Sequence, residues 1–233
     1  MIWQVPRMWE EADVWIIGGG PSVSKQFGIP EKVVKSVIEG TSPPSVYSPY
    51  MSFLHKKHVI GINVAYMLGD WIDLVFFGDS SFFATHMQAL ANFPGLKASC
   101  HPITDKYPWV KYLPRNTRHP LGISDNPMQV SWNHNSGSAA VSIAANAGAK
   151  RIFLLGFDMT LSPAARQHWH DVYNRGVIDT DKSRKSVANS FSRHLHGFPQ
   201  MAIDAKKLGI EIINVCPEST ITEFKKVSLK DLI

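Results

Sequence analysis

Residues 12–22 read ADVWIIGGGPS, and this stretch decides the fold. The run ADVWII is short, apolar and rich in β-formers, the signature of a strand buried on both faces as in the middle of a parallel sheet. It stops abruptly at Gly18, Gly19 and Gly20. Glycines there allow a sharp turn and a close approach to another group, while Pro21 and Ser22 suit the first turn or cap of a helix. The order strand, glycine turn, helix is the opening unit of a doubly wound α/β protein.

The same grammar recurs along the chain. Further strands are predicted at 59–63 (VIGIN), 73–77 (DLVFF), 97–100, 151–155 (RIFLL) and 211–215 (EIINV). Helices are expected at 82–93, after Asn135 in the alanine-rich AAVSIAANAGA, and at 198–208, where Gly209 ends the pattern. Residues 43–49 (PPSVYSP) read as a surface loop. Alternating strands and helices with little hairpin chemistry predict an α/β fold, a single Rossmann-like doubly wound and mostly parallel sheet with a loop-rich lid. One domain over 1–233 is expected, with an irregular excursion at 101–134 and a lid-like segment at 160–197, whose polar sequence up to Arg193 reads as mobile loop.

Composition narrows the class. A hydrophobic share of 44% with 18% charged residues fits a globular domain and excludes a disordered or collagen-like chain. The 24 Lys and Arg exceed the 19 Asp and Glu by five but form no basic stripe, so nucleic acid is not expected as a partner. Cys100 and Cys216 lack zinc-site or paired spacing, and no apolar run reaches the roughly 18 to 20 residues of a membrane span. A reducing, cytoplasmic setting is expected.

In such sheets ligands bind beyond the carboxyl ends of the strands. The polar clusters after the strands are therefore the candidate site: Gly18, Gly19, Gly20, Pro21 and Ser22, then Asn63, Asp79, Asp158, and Pro217 with Ser219. The glycine turn is either an anion cradle or a plain tight turn. Ser136 and Gly137 begin the alanine-rich helix, where that segment either caps the helix or meets a ligand. Asp79 and Asp158 could hold a sugar hydroxyl, take a proton, bind Mg²⁺ or cap helices; no cofactor follows firmly, and Mg²⁺ stays open. His168, His170, His194 and His196 are candidate proton acceptors, since histidine titrates near neutrality. His168 and His170 with Asp158 or Asp171 also leave a metal site open. No G-x-S-x-G elbow supports a serine hydrolase.

Taken in order, IIGGGPSV, GINVAY, FFGDSSFF, NSGSAAVSIAANAGAKRIFLLGFDM and NVCPESTITEF resemble the bacterial sialyltransferases of glycosyltransferase family 42 and the related MptE-like proteins. The similarity spans most of 12–224, and similar short chains occur in tailed bacteriophage genomes. The resemblance implies a Rossmann-like fold and a nucleotide-dependent transferase, first a glycosyltransferase using a nucleotide sugar, otherwise an ATP-dependent pyrophosphoryl transfer to a hydroxymethyl acceptor, or a non-catalytic nucleotide-binding or interaction protein. By position it places Gly18, Gly20, Pro21 and Ser22 at the nucleotide phosphates, Asn63 at the donor, Ser136 and Gly137 at the sugar or base, and 217–219 at the pocket's edge. It implies a catalytic histidine in the lid, with His194 or His196 nearest in spacing, and a small-molecule or glycan acceptor. The segment His168-Trp169-His170 is additional to the sialyltransferase pattern. Oligomeric state is left open.

Overall fold

The computed structural model describes residues 1–173 and 181–233, and stretch 174–180 of the expected lid lies outside the described residues. Eight strands form one sheet: β1 (Asp13–Ile17), β2 (His58–Ile62), β3 (Leu74–Phe77), β4 (Leu96–Ser99), β5 (Lys111–Tyr112), β6 (Arg151–Leu155), β7 (Glu211–Asn214) and β8 (Lys225–Lys226). Their order is β5-β4-β3-β2-β1-β6-β7-β8, and every neighbouring pair is parallel. The fold is thus Rossmann-like α/β. β1 sits between β2 and β6, with Ile17 opposite both Gly61 and Leu155. The chain winds away from β1 in both directions, so strand order reverses between β1 and β6.

Alternation along β1 builds two cores. Val14 and Ile16 face a cluster with Leu74, Phe76 and Leu154, while Trp15 and Ile17 face another with Val75, Phe77 and Leu155. On the first face lie α4 (Ser136–Asn146) and α6 (Phe198–Leu208), and on the second α3 (Ser80–Asn92). α4 packs across β1, β2 and β3. Its fully buried Ala139, Ala140 and Ala144 are small enough to let the helix axis come close to the sheet. The glycine turn leads into α1 (Ser22–Gln26), a single short turn of helix followed by α2 (Glu31–Ile38).

Several expectations are corrected. Residues 43–49 are not a surface loop: Pro44–Lys56 winds as a 3₁₀ helix that buries Tyr47, Met51 and Leu54 completely. Their spacing brings all three onto one side, and that burial outweighs the local effect of Pro44 and Pro49. The loop read up to Arg193 is helical over α5 (Asp181–Leu195), whose one buried side chain among those described is Val187. Its large apolar residues, Val187, Phe191 and Leu195, recur at helical spacing, but they are too few among the polar ones to stand out as a buried face. Within 101–134 the chain is mainly irregular but adds β5, whose two residues pair with Ala98 and Ser99. Cys100 and Cys216 are both buried free thiols. Among the described residues no helix is long and apolar enough to cross a membrane.

Candidate functional site

A cleft of ≈ 880 Å³ opens at the carboxyl ends of the strands. Gly18, Gly19 and Gly20 after β1, Asn63 after β2, Asp79 after β3 and Gly156 to Asp158 after β6 all line it, together with Ser136 and Gly137 of α4. The reversal of strand order between β1 and β6 creates this crevice, because successive connections leave in opposite directions and uncover the strand ends.

The glycine turn is filled largely by the protein itself. Gly18 N–H donates to Leu155 O (2.8 Å) and Gly20 N–H to Gly156 O (2.9 Å). At the start of α1 the Ser22 amide and hydroxyl donate to the two oxygens of Asp158, both at 2.8 Å. A side chain at Gly20 would place its Cβ 1.9 Å from Asp158 Oδ2, and one at Gly19 would lie 2.7 Å from His168 Nδ1. The close approach that the glycines permit is thus made by Asp158 and His168. Burial pushes the Asp158 carboxyl above the usual carboxylate range, opposed by the two Ser22 donors. The neighbouring Cys216 thiol is pushed up to about 11, chiefly by burial and then by Asp158.

Segment 167–173 forms a strap over this turn. Trp169 is 1% exposed, its ring N–H donates to Gly18 O (2.9 Å), and its amide donates to Gly19 O (3.1 Å). The Tyr47 hydroxyl donates to Trp169 O at 3.3 Å. The rings of His168 and His170 stack 5.2 Å apart and within 8° of parallel, with Tyr173 edge-on to both. They present faces rather than nitrogens to each other. Among the described residues no group of three or more His, Cys, Asp or Glu is placed to hold a metal ion. Of the two carboxylates considered for Mg²⁺, Asp158 has both oxygens engaged by Ser22, whereas Asp79 stands at the N-terminus of α3 without capping it.

The start of α4 is differently arranged. Asn135 caps it, with Oδ1 accepting from Ser138 N–H at 2.7 Å. Ser136 and Gly137 occupy the first helical positions, whose N–H groups have no carbonyl within the helix, and both border the cleft. No acidic residue lies in this first turn, so the helix dipole there meets no carboxylate of its own helix. Asn63, at the end of β2 in the same cleft, takes a left-handed conformation (φ 50°), and its buried Oδ1 has no hydrogen-bond partner among the described residues. A buried acceptor without a donor costs stability, and where it lines a cleft, as Asn63 does, a ligand or water donor can complete the bonding. His194 lines the cleft beside α4, its backbone O accepting from Asn135 Nδ2 at 3.5 Å. Its imidazole is pushed down to about 4, first by burial and then by Arg193 and His134.

Of the residues singled out from the sequence, Gly18, Gly19, Gly20, Asn63, Asp79, Ser136, Gly137, Asp158, His168 and His194 come together in the cleft. Pro21, Ser22, His170, His196, Pro217 and Ser219 are not among its lining. Ser22 holds Asp158, and the Ser219 hydroxyl donates to Phe157 O (2.7 Å), so these two brace the β6 end from behind. His170 is buried and His196 sits edge-on to His134. Sequence reasoning missed Thr85, His86, Trp132 and His134, which also line the cleft. His86 lies one helical turn beyond Phe82, so the strand-end rule extended along α3 could have found it. Trp132, whose ring is covered by the Arg115 guanidinium at 3.7 Å, carries no such local signal.

An all-parallel sheet with its cleft at the strand reversal defines a Rossmann-like protein of the kind that binds ligands at the sheet's carboxyl edge. No protein-family model and no curated protein matches the sequence. Among solved structures, the MAf glycosyltransferase from Magnetospirillum magneticum AMB-1 shares the fold with a TM-score of 0.54 at 13% identity, over 100% of this chain and 36% of that one. The chain therefore spans about a third of that protein. The sialyltransferase CstII from Campylobacter jejuni, in complex with cytidine-5'-monophosphate, aligns with a TM-score of 0.48 at 14% identity, over 94% of this chain and 86% of that one.

Proposed function

We propose that the chain is a nucleotide-dependent transferase whose cleft holds a nucleotide-sugar donor and passes the sugar to a hydroxyl-bearing acceptor. The observation that carries this reading is the pairing, in one cleft, of the open α4 N-terminus at Ser136 and Gly137 with an Asn63 Oδ1 that has no partner among the described residues. The first favours the anionic part of a ligand, and the second requires a donor such as a sugar hydroxyl or a base amino group. The fold shared with a glycosyltransferase supports the same class. The Ser22 end of α1 is a poorer phosphate seat, since Asp158 already occupies it.

In the transfer step the acceptor oxygen bonds to the anomeric carbon, the bond from that carbon to the phosphate oxygen breaks, and the acceptor's proton passes to a histidine. The departing phosphate charge is met by the α4 amides. His194 serves as the proton acceptor in this scheme because it is unprotonated at neutral pH, and an adjoining phosphate would raise its basicity.

A thermal-shift screen with CMP, UDP, GDP and ATP, each with and without Mg²⁺, tests the reading. At a hundredfold excess over Kd, one of the first three should stabilise the fold by about 2.7 kcal/mol. Asn63→Gly, which keeps the left-handed backbone but removes Oδ1, should weaken the sugar conjugate of that nucleotide about tenfold. Stabilisation by ATP alone, and only with Mg²⁺, would redirect the reading to pyrophosphoryl transfer. No response to any nucleotide would sink it.

A further inference from the structure

The cleft has a second wall, built from the opposite layer of the protein. α3 packs through Phe82, Phe83 and Leu90 on one face of the sheet, whereas α4 and Leu195, next to His194, pack on the other. His86 of α3 therefore stands across the cleft from Ser136 and His194. Its ring is stacked on Phe82 at 4.4 Å and 21°, and its Nδ1 lies 2.9 Å from the hydroxyl of the buried Tyr66. Tyr66 is itself held edge-on by Phe93.

This pair is neutral, because burial raises the Tyr66 hydroxyl and lowers the His86 imidazole. The Tyr66 hydroxyl has no other hydrogen-bond partner among the described residues, so its proton is directed to Nδ1 and the imidazole's own proton belongs on Nε2, the ring's remaining polar atom. The wall thus offers a fixed neutral N–H donor at His86. Two acceptors line the same cleft, the Asn63 Oδ1 that lacks a partner among the described residues and the Asp79 carboxylate that leaves its helix uncapped. A polyhydroxylated group matches that set, since each hydroxyl both donates and accepts.

We propose that this wall is a carbohydrate subsite, in which His86 Nε2–H donates to a sugar oxygen while Asn63 Oδ1 and Asp79 accept from sugar hydroxyls. The assignment rests on the transferase reading of the same cleft and adds the place and the donor group by which the sugar is held. Tyr66 is a positioning residue that fixes the His86 ring and its tautomer.

Calorimetry on the full chain compares each bare nucleotide with its sugar conjugate: CMP with CMP-N-acetylneuraminic acid, UDP with UDP-N-acetylglucosamine, and GDP with GDP-mannose. His86→Phe, which keeps the stack on Phe82 but removes both nitrogens, should lower affinity for the bound conjugate about tenfold and leave the bare nucleotide within twofold. Tyr66→Phe should lower the conjugate's affinity by a smaller factor. His86→Gln, which restores a donor, should recover part of the loss and serves if the phenylalanine variant fails to fold. Equal weakening of conjugate and bare nucleotide, or no weakening of either, overturns the subsite.

If the conjugate gains nothing over the nucleotide, free N-acetylglucosamine and N-acetylneuraminic acid are titrated against the nucleotide-saturated chain while the His86 ring signals are followed by NMR. Shifted signals place the acceptor's sugar at this wall, and unshifted signals overturn the proposal. A chain that binds no nucleotide refutes the transferase reading separately. The same titration on the free chain then decides the subsite, with unshifted His86 signals again overturning it.

Discussion

At Gly20 a single added methyl group would collide with the Asp158 carboxylate, which explains at atomic scale why the turn after β1 is glycine-rich. The three glycines were legible as a place of close approach, but the sequence does not say what approaches. The partner comes from β6, 136 residues from Ser22, and only the parallel pairing of β1 with β6 brings it there. His194 is the residue whose environment has the clearest measurable consequence. Its proton affinity is ordinary, near 6.5, in the unfolded chain and is pushed down to about 4 when folded. Between those values the unfolded chain binds more protons, so folding stability rises with pH through the window and is lost on acidification from about 6.5 toward 4. Allowing for its partial exposure, the expected loss is roughly 1 kcal/mol. His194→Gln should flatten that part of the stability profile, as read by denaturant unfolding at pH 7 and pH 4.5, and an unchanged slope would contradict the assigned environment.

Among the elements, the buried strands were the most legible, because β1, β2, β3 and β6 are continuous apolar runs that end in polar clusters. β5 and β8 were not, since two residues each leave no pattern and their pairing is dictated by neighbours. α5 was hidden because its stripe of Val187, Phe191 and Leu195 is narrow and set among many polar positions. The strap 167–173 was visible only as an unusual cluster of histidines around a tryptophan. In the fold Trp169 is anchored to the glycine turn, and His168 lies against Gly19. Trp169→Phe leaves Gly18 O without its buried donor and should cost about 1–3 kcal/mol. For a chain of this size that corresponds to a fall in Tm of several degrees, measurable by circular dichroism. Nucleotide affinity should fall as well, because the turn and His168 are held by the same anchor. A variant with wild-type Tm would show that the strap is not fastened there.

The molecule as a whole joins two cores across one sheet and opens a cleft of ≈ 880 Å³ where the strand order reverses. That location was legible, since a Rossmann-like winding puts its ligand edge at the carboxyl ends of the strands. The choice between helix ends was not. Both GGGPS and NSGS announce a helix start, and only the tertiary contacts reveal that α1 is already met by Asp158 while α4 opens onto the cleft. The modest excess of positive charge is compatible with an anionic small ligand held at that one end. The most direct test is a crystal structure of the chain with the nucleotide selected by the thermal-shift screen. The account predicts a phosphate within hydrogen-bonding distance of the Ser136 and Gly137 amides. A phosphate seated instead on Ser22, with Asp158 displaced, or bound outside this cleft would contradict it.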